Sequence, residues 1–174
     1  MAANTTQTRN LTHGSLTIKG NTQPAQQLIV PIMEGDLEFT CRDVAKVISN
    51  RGVLSHFSAG VQTPCAIRFT IGFVDYKGKS FTAAPPTPID AMRKQGNAST
   101  WVSTQSCGPY VTDLDFALAN PCSGAGTGID QTEVLTFADF HLDEWAFGEK
   151  EDMDTIKCSG NALVVQPSSA RSGT

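Results

Sequence analysis

His141-Leu142-Asp143-Glu144 sets an imidazole beside two carboxylates. On an extended chain His141 and Asp143 share a face. Such a pair is the raw material of a proton relay or a metal site. The other two histidines, His13 and His56, do not stand at ligand spacing from it, so the segment reads as a polar strand surface. Ser123-Gly124-Ala125-Gly126-Thr127-Gly128 is glycine-rich, but it lacks the Lys-Ser/Thr of a phosphate loop and no helix signal follows it. It reads as a mobile loop. Gly108 and Gly160 have no nucleophile elbow around them. The five cysteines (Cys41, Cys65, Cys107, Cys122 and Cys158) are odd in number and form no CxxC pair, which speaks against a zinc site. They are expected to be reduced, buried thiols, with a Cys107–Cys122 bridge left open as the exception. No nucleophile, base or metal set converges, so neither enzymatic activity nor a cofactor is expected.

Charge is more informative than chemistry. The formal net charge is −4, which disfavours a protein that grips nucleic acid through a basic stripe. From Arg42 to Lys94 there are eight basic residues against three acidic; from Asp139 to Asp154 there are seven acidic residues against Lys150 alone. Opposite charge on two parts of one chain suits contact between copies through unlike patches, although solvated faces carry the same pattern in many monomers. Arg42, Lys46 and Arg51 are the basic candidates for such a contact between copies. Asp143, Glu144, Glu149, Glu151 and Asp152 are the acidic ones. Asp36, Glu38, Asp113 and Asp115 fall on polar strand faces, where they would repel phosphates if those faces lined a pore.

The elements that must carry these residues are mostly strands. Ile67, Phe69, Ile71 and Phe73 alternate with polar or small residues, as do Leu37, Phe39 and Cys41. Tyr110, Leu114, Phe116 and Leu118 share a phase. Leu135 and Phe137 are out of phase with Phe140 and Leu142, which predicts a bulge near Ala138 and Asp139. Shorter strands are expected at 28–32 and 162–165. Clean alternation implies antiparallel pairing. One short helix is signalled: Thr87 as N-cap, Pro88 at the first position, Asp90 in the capping-box position and Gly96 to end it. The expected architecture is a mainly β, antiparallel two-sheet sandwich or barrel with one flanking helix. Residues 1–14 and 168–174 read as flexible arms around a single domain at 15–167. The connection 41–60 is longer than a usual hairpin loop, which marks it as functional. No stretch approaches the roughly 18 apolar residues needed to span a bilayer, and the first residues lack an apolar signal core. The chain is therefore expected in the cytoplasm, without a membrane partner.

The order of these segments resembles the tail tube (major tail) proteins of siphophages. The resemblance runs through Glu34-Gly35-Asp36-Leu37-Glu38-Phe39-Thr40, the Arg51-Gly52-Val53-Leu54 turn, and Gly60 and Pro64 before the strand 65–76. It continues through 96–104 (GNASTWVST), Pro109-Tyr110-Val111-Thr112-Asp113-Leu114, the 133–140 segment and Ser159-Gly160-Asn161-Ala162. It covers about 28–167. It implies a two-sheet β-fold with a side helix, hexameric rings stacked into a tube, and a lumen that carries viral DNA at ejection without binding it specifically. It also implies assembly in the host cytoplasm into a virion tail, with a tape measure protein and a tail terminator as partners. Two other classes compete. The tube protein of a contractile injection or secretion system would share the fold and carry protein cargo. A virion decoration or carbohydrate-binding sandwich would present an aromatic surface site, for which Trp101 and Trp145 are the only tryptophans.

Overall fold

Among the described residues there are ten strands. They are β1 (Ser15–Lys19), β2 (Gln27–Pro31), β3 (Glu38–Thr40), β4 (Asp43–Asn50), β5 (Val53–Gln62), β6 (Cys65–Gly72), β7 (Thr112–Leu118), β8 (Thr132–Gly148), β9 (Thr155–Ala162) and β10 (Ser168–Ser172). The computed structural model describes residues 14–20, 26–32, 37–50, 53–72, 86–102, 110–118, 132–149 and 154–172. Eight strands form one antiparallel sheet in the order β2-β1-β7-β8-β9-β6-β3, with β10 pairing β8 beside this path. β4 and β5 form a separate two-stranded sheet. The fold is thus mainly β, with a single short α-helix among the described residues, α1 (Pro88–Arg93).

The large sheet curls rather than stacking on an equal partner. Ile32, just past β2, bridges Ile71 in β6 and so joins one edge of the sheet to the strand next to the other edge. The core records the same closure. Phe69 of β6 meets Phe116 of β7 edge-on at 5.5 Å, although two strands lie between them in the sheet order. Phe116 in turn meets Phe137 at 5.7 Å, and Phe39 reaches Phe137 at 5.3 Å. Only strands wrapped around a common interior can make such contacts. The inward phase is filled by Leu16, Ile18, Val30, Ile67, Phe69, Ile71, Leu114, Phe116, Phe137, Phe140 and Ile156, all essentially inaccessible to water. Each such side chain contributes roughly 1.5–3 kcal/mol by leaving water.

The phase change in β8 is resolved as its residues require. Asp139 adopts a left-handed backbone (φ 51°), and the register with β7 slips between Thr112 and Leu114. The extra residue lets both Phe137 and Phe140 point inward. α1 starts as its sequence demands: the Asp90 N–H donates to Thr87 Oγ1 at 3.2 Å, with Pro88 in the first turn. It ends earlier than Gly96 suggested, at Lys94 in the left-handed conformation (φ 54°), while Gly96 opens a 3-10 helix over Gly96–Trp101.

Four other expectations change. Tyr110 lies in a turn and is exposed, outside the buried face of Leu114 and Phe116. Residues 168–172, read as part of a flexible tail, extend the sheet as β10 against the first half of β8. The 41–60 connection is an ordered hairpin. Cys41 and Cys65 form a disulfide; the reading of these two as thiols overlooked that β3 and β6 are paired. Thr40 stands opposite Ala66, so the next residue out on β3 meets Cys65. Cys158 is a free buried thiol, with burial pushing its pKa up to about 12. Cys107, Cys122 and the glycine-rich 123–128 segment lie outside the described residues.

Candidate assembly surface

The β4–β5 hairpin leaves the barrel at one place and returns beside it. Its root is fastened by the Cys41–Cys65 disulfide and by Thr63 Oγ1, which donates to the Arg42 carbonyl at 3.0 Å. Beyond the root, β4 and β5 pair from Asp43 opposite Gln62 to Asn50 opposite Val53, with two register shifts. The two strands pack on each other and make no more than marginal contact with any other described element. Val47 and Val61 remain 49% and 78% exposed. A lone two-stranded hairpin is marginal in water, and its outer edges present unpaired backbone groups. This arm is therefore a surface suited to a second body.

Of the basic candidates, Arg42 sits at the arm's root and Lys46 projects, exposed, from β4. Arg51 lies outside the described residues. Of the acidic candidates, Asp143 and Glu144 are exposed on β8 and Glu149 follows its end; Glu151 and Asp152 lie outside the described residues. Register places Glu38, Arg68, Ser159 and Glu144 in one row across β3, β6, β9 and β8. With Lys157 on the next row they line a groove of about 410 Å³. The surface beside Glu144 therefore carries both signs, a mixture that residue order along the chain does not reveal.

The acidic strand faces are also partnered. Asp115 pairs with Lys19 of β1 and accepts a hydrogen bond from Thr136 Oγ1 at 2.8 Å. Asp113 Oδ1 accepts the Asp139 N–H at 3.0 Å, which fastens the β8 bulge. Glu38 faces Arg68 in register. Asp36 lies outside the described residues. Sequence spacing put Asp113 and Asp115 on one strand face but did not reveal the cations beside the carboxylates, because Lys19 and Arg68 come from strands distant along the chain.

His141 and Asp143 do share a surface. Nε2 lies 3.9 Å from Asp143 Oδ1, and Asn161 donates to the other carboxylate oxygen. Together with Met92, Arg93, Gln95, Tyr110, Leu142 and Trp145 they line a second groove of about 370 Å³. This lining holds no hydroxyl or thiol beside the imidazole other than the Tyr110 phenol. Among the described residues no cluster of three His, Cys, Asp or Glu side chains is set to hold a metal ion. Trp145 is 41% exposed here, whereas Trp101 is buried against Gly20. Sequence reasoning missed two buried polar atoms, Lys94 Nζ and Thr112 Oγ1, which have no hydrogen-bond partner. Burial lowers the Lys94 pKa, and Asp113 and Asp139 draw it back up.

No family model matches the chain, and no curated protein matches it. Among solved structures, it is similar to a chain in the cryo-EM structure of the anti-feeding prophage (AFP) baseplate, 6-fold symmetrised. The two share 10% identity over 99% of this chain and 98% of that one, with a TM-score of 0.43. At that score the likeness carries no argument about function.

Proposed function

We propose that the chain is a structural virion protein, a tail tube subunit whose copies form hexameric rings stacked into a hollow tube for DNA passage at ejection. The observation that carries this reading is the β4–β5 arm. A hairpin fastened at its root and unsupported along its length fits a docking element, and a second copy is the partner that symmetric assembly supplies. The ordered resemblance over 28–167 supplies the ring and tube. The role needs no catalytic centre and no cofactor. Its partners are further copies, a tape measure protein and a tail terminator in the virion tail, with DNA passing but not specifically held.

Asp113 and Asp115 are proposed to face the lumen together with Glu38 and Asp36. Lys19 beside Asp115 offsets one of these negative charges, so that wall is polar and stays net negative. Such a wall lets a polyanion slide without trapping it. Arg42 and Lys46 are proposed to meet the acidic 143–152 segment of a neighbouring ring. The test is the double variant Arg42→Glu/Lys46→Glu, viewed by negative-stain microscopy. Loss of tubes with the circular dichroism unchanged supports the pairing; undiminished polymerisation contradicts it.

A further inference from the structure

The bridge at the root of the arm joins two sulfurs of unequal access. Cys65 is fully buried at the start of β6, while Cys41, after the end of β3, is partly exposed. Cys65 Sγ also lies 3.7 Å from the Val165 carbonyl oxygen. A disulfide sulfur has no proton to donate there, but a thiol has, so the same position accommodates the reduced residue. Without the bridge, the root is held by the three-residue strand β3 and by the exposed Thr63–Arg42 hydrogen bond. The bridge spans 24 residues, and those residues are the arm.

We infer that Cys41–Cys65 is a reversible redox latch that sets how firmly the arm is held to the barrel. The purpose assigned to it rests on the assembly reading above: an unlatched arm adjusts to a neighbouring copy, and a latched arm fixes the contact. Opening begins when the thiolate of a small thiol such as glutathione attacks the accessible Cys41 Sγ. The S–S bond breaks, Cys65 leaves as thiolate, takes a proton from water and donates it towards Val165. A second glutathione attacks the mixed disulfide, releasing glutathione disulfide and the Cys41 thiol. Two small thiols are oxidised and one protein disulfide is reduced. Closing is the reverse, with glutathione disulfide as oxidant. Cys158 takes no part, because its buried thiol stays protonated.

The full-length, unassembled chain is equilibrated in glutathione buffers from reducing to oxidising, quenched in acid and alkylated, and its cysteine peptides are read by mass spectrometry. In parallel, tryptic cleavage after Lys46 is timed. Cys41 and Cys65 are expected to convert together between thiols and bridge while Cys158 remains a thiol. Cleavage after Lys46 should be about tenfold faster in the open form, with circular dichroism preserved. The closed form should melt about 5–10 °C higher. The Cys41→Ser variant should be cut at the open rate in every buffer. A pair that stays bridged in the most reducing buffer, never bridges in the most oxidising one, or bridges without slowing the cleavage overturns the latch. None of these readouts uses tubes. A chain that titrates in this way but never assembles supports the latch and overturns the assembly reading.

Discussion

Gly160 marks the tightest approach among the described glycines with neighbouring groups. A Cβ there would lie 2.1 Å from the His141 carbonyl oxygen and 2.6 Å from the Phe140 ring. Gly160→Ala must push Phe140 out of the core or part β8 from β9, and a loss of about 3 kcal/mol is expected in urea unfolding. Lys94 makes the opposite prediction. Its side chain is buried, with Nζ unpartnered. Burial lowers its folded pKa below the unfolded value, against the pull of Asp113 and Asp139. The unfolded chain therefore holds more protons between those two pKa values, and stability rises with pH through that window. Below it, at neutral pH, the buried ammonium is a cost. Lys94→Met should stabilise the fold by about 1 kcal/mol at pH 7. It should also flatten the alkaline rise in the urea midpoint; a loss of stability at pH 7 would contradict this. The sequence held no sign of either constraint. Gly160 acquires its constraint from β8, and Lys94 the charges beside it from β7 and β8, strands that arrive by pairing and not by proximity in the chain.

At the scale of elements, alternation and capping were legible and partnership was not. The bulge at Asp139 could be read from two phases of aromatic residues, and the α1 start from Thr87, Pro88 and Asp90. Thr87→Ala should remove the cap and cost about 1 kcal/mol, measurable as a shift in the urea midpoint. The disulfide was hidden because cysteine spacing in sequence says nothing about the register of β3 on β6. β10 was hidden because Ser168-Ser169-Ala170-Arg171-Ser172 has no apolar alternation; backbone pairing to β8 alone makes it a strand. The arm was anticipated as a functional connection, yet its hairpin form was not. Its exposed apolar positions give a direct test. Val47→Asp should leave melting of the barrel within about 0.5 kcal/mol of the parent, since the arm lends it little. The same change should abolish self-association in sedimentation velocity.

For the whole molecule, a curled sheet with an interlocked phenylalanine core supplies a rigid body, and the arm supplies an unsatisfied surface. That division of labour, stable barrel and dependent arm, suits the proposed role of a subunit in a repeating assembly. Composition and charge disfavoured a nucleic-acid-gripping protein at the outset, but they could not show that acidic Glu144 shares a groove with Arg68 and Lys157. The charges on the proposed contact surface are set by which strands adjoin. The most direct test is negative-stain microscopy of the purified full-length protein at high concentration. Rings or hollow tubes of uniform diameter are expected, disappearing when the arm carries Val47→Asp. A uniform population of monomers under the same conditions would contradict the proposal that this chain builds a tube.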